Sequence, residues 1–214
     1  NTDYTVSYKN NPNAGTASVT ITGKGKYSGT ITKSFSIKPA DFTRASVTLS
    51  ASSFTWNGTN KKPGVTVKFG RRQLTAGRDY TVSYKNNVSV GTASVTLTAK
   101  GNYTGSVSKN FSITAADFTK TSVSLSASSF TYDGAEKKPG ITVKNGSKLL
   151  TANTDYTVSY KNNINAGTAS VTITGKGSYS GSQTKDFTIK PADFTRTTVS
   201  LSASSFIYDG AEKK

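Results

Sequence analysis

The chain repeats itself at a fixed interval, and this constrains its fold more than any other feature. DYTVSYKNN stands at residues 3–11, 79–87 and 155–163, two steps of 76 residues. GTASVT follows at 15–20, 91–96 and 167–172, LSASSF at 49–54, 125–130 and 201–206, and ADFT at 40–43, 116–119 and 192–195. Solenoid turns recur every 20–50 residues or so. A 76-residue unit instead suits a small domain with its own core.

Within the unit, apolar residues recur with the period of strands. Tyr80, Val82 and Tyr84 alternate with Thr81 and Ser83, and Ala93, Val95, Leu97 and Ala99 with Ser94, Thr96 and Thr98. Such alternation in Val-, Thr- and Tyr-rich segments marks half-buried strands. No stretch places apolar residues at helical spacing. Gly58, Pro63-Gly64, Gly70, Asn86-Asn87, Gly91, Gly101 and Gly105 supply the turns. About seven strands per unit follow, and they predict an all-β, immunoglobulin-like antiparallel sandwich with Greek-key connections rather than a barrel. Its buried face is expected to hold Phe54, Val65, Val67, Tyr80, Val82, Val95, Leu97, Phe111 and Ile113.

The unit boundary is expected at the Pro-Ala-Asp-Phe segment, where Pro39 and Pro191 restrict the backbone to extended geometry. In that frame residues 41–116 and 117–192 are complete domains arranged end to end. Residues 1–40 are the closing part of a repeat, and residues 193–214 open a further one. The two fragments together fall 14 residues short of a unit, so the chain reads as a segment of a longer array.

Composition narrows the chemistry. Among 214 residues there is no cysteine, methionine or histidine. That excludes disulfides, thiol nucleophiles and Cys- or His-ligated metal, and removes the commonest general base. No apolar run approaches the roughly 20 residues that span a bilayer, and Asn1-Thr2-Asp3-Tyr4 does not begin a signal peptide. Export and anchoring signals, if used, are expected outside this segment.

The run FTYDGAEKKPGITVKNGSKLLTANTDYTVSYKNNINAGTASVTITGKGSYSGS at 130–182 resembles the YDG-type bacterial Ig-like repeats of Gram-positive surface proteins and adhesins. Every unit carries the same blocks. The resemblance implies a secreted, surface-located stalk or spacer module without catalytic residues or cofactors, holding a distal domain away from the cell. Departures are small: Trp56-Asn57-Gly58 replaces Tyr132-Asp133-Gly134, and Ala99 stands where the neighbours have Gly23 and Gly175.

Five constellations merit weighing. Ser106-Val107-Ser108-Lys109 matches Ser-x-x-Lys, but on a strand these ends face opposite ways and no companion motif is present. Gly23, Gly25 and Gly29, like Gly175, Gly177 and Gly181, lie between strands and lack the helix a phosphate loop needs. Gly101 and Gly105 bracket Tyr103 in a turn that would fold its ring onto the sandwich. Asp133-Gly134-Ala135-Glu136 lacks a calcium ladder, and its counterpart Asn57-Gly58-Thr59-Asn60 has no carboxylate. Trp56, with Tyr132 and Tyr208, offers either a sugar platform or core packing, and its spacing from Phe54 favours the core.

Lys33, Lys109 and Lys185 share parity with the inward residues of their strands. This permits an intramolecular crosslink to Asn or Asp, or a lysine whose stem packs while its amine reaches solvent.

The charge is uneven. The whole chain carries +16; unit 41–116 has ten Lys or Arg against two acids, and unit 117–192 nine against five. Arg71, Arg72 and Arg78 gather the excess near one hairpin. No nucleic-acid signature accompanies them, so contact with an anionic wall polymer or host glycan is the alternative to a solvated stalk. The sequence predicts no small-molecule substrate, nucleic acid or membrane insertion; the expected partners are neighbouring repeats. A self-assembling filament, with 1–40 of one chain completing 193–214 of another, is a third reading.

Overall fold

The computed structural model describes residues 2–213. Two compact units are distinguished, one of residues 1–116 with 177–180, the other of residues 117–176 with 181–214.

The first unit opens with an antiparallel meander of β1 (Tyr4–Lys9), β2 (Gly15–Gly23) and β3 (Thr30–Ile37). Then follow β4 (Ala40–Asp41), a 3-10 turn over Phe42–Arg44, β5 (Ser46–Leu49), β6 (Ser53–Thr55), β7 (Val65–Phe69) and β8 (Arg72–Gln73). The repeat closes with β9 (Tyr80–Lys85), β10 (Gly91–Ala99), β11 (Tyr103–Thr104) and β12 (Ser106–Thr114). β5-β7-β8 form one sheet and β6-β12-β10-β9 the other. Val67 of the first and Val95 and Leu97 of the second are fully buried in one cluster with Phe42, Leu74 and Tyr80. This is a two-layer β-sandwich of three and four strands.

The seven strands of the two sheets match the expected number, and the core includes every residue expected there, Phe54, Val65 and Val82 being only partly buried. One feature differs from a wholly antiparallel Greek key. β9, β10 and β12 form a simple meander, and β6 extends it by pairing parallel to β12, Phe54 opposite Ile113. The chain passes from β5 to β6 through three residues, 50–52, and so changes sheets, which lets Phe54 close the core edge-on against Phe111, ring centres 5.7 Å apart.

The DYTVSYKNN block now has a physical reading. Tyr80 fills the core at 3% exposure. Tyr84 donates its hydroxyl to the Pro63 carbonyl, 2.7 Å away. Asn86 takes φ 57° to turn the hairpin, in the left-handed region that Asn tolerates. Asn87 then clamps the loop after β6: its side-chain amide donates to the Lys61 carbonyl at 2.9 Å, and its own carbonyl accepts from Lys61 N–H at 2.7 Å.

The meander β1-β2-β3 repeats the β9-β10-β12 sequence without a second sheet over it. Exposure rises from 3% at Tyr80 to 43% at Tyr4, from 0% at Leu97 to 41% at Ile21, and from 3% at Phe111 to 42% at Phe35. Burial of these side chains is therefore supplied by β5-β7-β8 and, at Phe111, by Phe54 of β6 and Trp56, not by the meander alone.

The second unit carries the same sandwich. After β13 (Ala116–Asp117), its strands are β14 (Ser122–Leu125), β15 (Ser129–Thr131), β16 (Ile141–Asn145), β17 (Lys148–Leu149), β18 (Tyr156–Lys161), β19 (Gly167–Gly175) and, following β20 (Tyr179–Ser180) of the first unit, β21 (Ser182–Lys190). The sheets are β14-β16-β17 and β15-β21-β19-β18, again with β15 parallel to β21. Beyond them a 3-10 turn, Phe194–Arg196, forms as before, but residues 197–213 contain no strand. Phe194 is 78% exposed where Phe42 and Phe118 are fully buried.

Candidate functional site

The join between β3 and β5 is built from the ADFT block. Ala40 and Asp41 pair parallel with Tyr103 and Thr104, so the chain enters the repeat as a strand. The Asp41 carboxylate then accepts from the Thr43 N–H at 2.9 Å and the Thr43 hydroxyl at 2.8 Å, capping the 3-10 turn. These bonds, the hydroxyl's above all, hold the Asp41 carboxyl below its ordinary pKa. The turn drives Phe42 inward against Tyr80 and Tyr103, ring centres 5.9 and 6.4 Å away. Tyr103 is 8% exposed and also meets Phe69 edge-on. Its turn is made by Gly101 and Gly105, with φ of 62° and 97°, values an L side chain rarely adopts.

Asn102, at the tip of that turn, reaches the preceding meander. Its carboxamide oxygen accepts from Ala14 N–H at 2.7 Å, its amide donates to the Asn13 side chain at 2.9 Å, and its backbone carbonyl accepts from Ala40 N–H at 2.9 Å. The Ala14 bond is partly buried.

Beside this contact the structure gathers the basic hairpin around one acid. Asp79 is 6% exposed. Arg78 donates Nε to Oδ1 at 3.1 Å and Nη2 to Oδ2 at 2.9 Å, Thr75 N–H donates to Oδ2 at 2.8 Å, and Arg72 Nη2 lies 4.0 Å from Oδ1. The Arg78 bond lowers the Asp79 pKa most, with Thr75 and Arg72 assisting against burial. Asp79 in return raises that of Arg78. Between these groups and Asn13, Ala14 and Asn102 lies a groove of about 410 Å³. A shallower groove of about 220 Å³ adjoins it, shares Arg72 and Asn102, and is lined by Ile37 and Phe69 among others. Arg71 is exposed and lines neither groove.

The other sequence candidates fall apart from this site. Lys33, Lys109 and Lys185 sit opposite Val19, Val95 and Val171, yet all three are exposed. β6 pairs with β12 only at Ser112–Thr114, so the sheet edge beside Lys109 is open. Trp56 is partly buried, packs on the Ala93, Phe111 and Ile113 cluster, and meets Tyr179 of the same unit edge-on at 5.3 Å. Its counterparts Tyr132 and Tyr208 are 39% and 93% exposed.

Asp133 accepts from Ala135 N–H at 2.9 Å and pairs with Lys137, while Glu136 pairs with Lys138. The two acids thus serve separate lysines. Asn57 makes the same turn with Thr59 and Lys61. Among the described residues, no group of three or more His, Cys, Asp or Glu is placed to hold a metal ion, and no helix is long and apolar enough to cross a membrane.

Sequence reasoning missed Asp79 as an organising acid and Asn102 as a bridge. The signal for the first was available: Arg78 stands where the next repeat has Thr154, beside an aspartate common to all three copies.

Comparison with protein-family models gives no match, and no curated protein matches. Among solved structures, the chain is similar to PcdhgB3 EC1-4 in 50 mM HEPES, at 13% identity and a TM-score of 0.21 over 90% of this chain. It spans 65% of that structure's length.

Proposed function

We propose that the chain is a segment of a non-catalytic stalk or spacer in a secreted bacterial surface protein of the adhesin type, built from YDG-type Ig-like repeats. The observation that carries this reading is the join at Ala40–Phe42. No slack separates one repeat from the next: Ala40 and Asp41 already belong to a strand pair, Phe42 is in the core, and Asn102 ties back to Asn13 and Ala14. A Gly/Ser linker would behave as a flexible coil. This join has instead the hydrogen bonding and burial of a domain interior, the property a spacer needs to transmit position.

Spin labels placed on β2 and β10 of the whole chain test the reading. A narrow distance distribution, broadened by Asn102→Ala, is expected. A broad distribution in the unaltered chain would remove the stalk. Surface location is read separately, by protease accessibility of the repeats on intact cells.

A further inference from the structure

We propose that the groove between Arg72, Arg78 and the Asn13–Asn102 contact binds the carboxylate of an acidic saccharide. The proposal concerns a ligand of the repeats themselves and does not depend on the stalk reading.

Charge supplies the first argument. Two guanidinium groups converge on Asp79, whose single carboxylate neutralises one of them. The side chains of Arg72 and Arg78 remain 57% and 62% exposed while Asp79 is 8% exposed at its side chain. An arginine has five N–H donors. Arg78 directs Nε and Nη2 toward Asp79 and Thr75, which leaves its Nη1 donors for a ligand. A guanidinium held like that of Arg78, with donors to spare, suits a planar oxyanion, because little rotamer freedom is lost on binding; Arg72 adds a second positive charge beside it.

Shape supplies the second. The cationic groove continues past Arg72 and Asn102 into the shallower one beside Ile37 and Phe69. The first lies within the volume range usual for small-ligand sites, roughly 300–1,000 Å³. A sugar acid presents the same sequence of features, an oxyanion followed by the apolar C–H face of a ring, whereas an isolated phosphate would use only the first groove.

Position in the repeat supplies the third. The residues 76 positions on from Asn13, Ala14, Arg72, Arg78 and Asn102 are Ser89, Val90, Lys148, Thr154 and Ser178. All five positions differ between the two copies, and all five line the one groove of the first unit. The site belongs to one join and is not a generic product of basic repeats.

The test is titration of the full chain with an oligogalacturonate, a glycerol phosphate oligomer, a single-stranded oligonucleotide and neutral dextran. It is followed by amide chemical shifts at low and physiological salt. Oligogalacturonate is expected to shift Ala14, Arg72, Arg78 and Asn102, more weakly as salt rises. Arg72→Gln leaves the Arg78–Asp79 pair intact and is expected to weaken binding about tenfold. Lys85→Gln, with the same loss of charge elsewhere, should change it less than about twofold. Equal loss in both variants would show diffuse charge attraction and overturn the site. So would shifts confined to other residues, tighter binding of the phosphate oligomer or oligonucleotide, or no binding at low salt.

Discussion

Tyr84 of β9 and Pro63, in the loop between β6 and β7, are joined by a hydrogen bond of 2.7 Å, hydroxyl to carbonyl. Pro63 is itself buried, and Tyr160 repeats the bond to Pro139 at 3.0 Å. Burial pushes the pKa of both tyrosines up, so the hydroxyl stays protonated and donating. Tyr84→Phe keeps the ring and leaves a partly buried carbonyl without its partner, which costs about 1–3 kcal/mol. Trp56, the sole tryptophan, reports unfolding of this repeat by fluorescence in urea. A midpoint unchanged by the substitution would show that water replaces the bond without penalty.

Phe42 lies at the seam between sequence repeats yet has no exposed surface. It therefore belongs to the core of residues 41–116 and not to a linker. Phe42→Ala is expected to cost about 3–5 kcal/mol, the range for deleting a buried aromatic ring. That is a large share of the 5–15 kcal/mol typical of a domain. Hydrogen exchange at the β10 amides of Ser94–Leu97 measures it. A loss below about 1 kcal/mol would mean that Tyr80 and Tyr103 collapse into the space.

Lys109 and its copies Lys33 and Lys185 are exposed beside an open strand edge. An amide crosslink needs the amine held against a carboxamide or carboxylate away from water, and these positions do not hold it so. The intact mass of the chain is expected to equal that of its sequence, with no loss of ammonia or water. A deficit of one such molecule per repeat would reverse this expectation.

Much of the fold is legible in the alternation of apolar residues, because each strand buries one face and the period is fixed at two. Val67, Val95, Leu97 and Phe111 follow from this rule alone. The parallel pairing of β6 with β12 does not, since alternation identifies a buried face but not the neighbour across the backbone hydrogen bonds. Phe42 was legible as the opening of a unit but not as its most buried ring. Its burial depends on the Asp41–Thr43 cap, a local turn that no periodicity records. At the candidate site, the arginine cluster is visible as composition. Its organisation is not: Arg72 and Arg78 converge because β8 and the turn before β9 face the same buried carboxylate, a relation between residues that the hairpin alone brings together.

That carboxylate also sets an acid dependence. The Arg78 guanidinium bound to Asp79, aided by the Thr75 N–H, holds its pKa below the ordinary aspartate value of about 4. A depressed folded-state pKa stabilises the native state at pH values above the unfolded value, and the contribution disappears as pH falls through the folded one. Above about pH 5 it is fully present. Asp79→Asn, which cannot bear the charge, is therefore expected to be less stable than the unaltered chain at pH 7. The gap should narrow steadily below about pH 4. Urea unfolding followed through Trp56 across this range gives both curves. A gap that stays constant down to pH 2 or so would assign the loss to altered packing rather than to the ion pair.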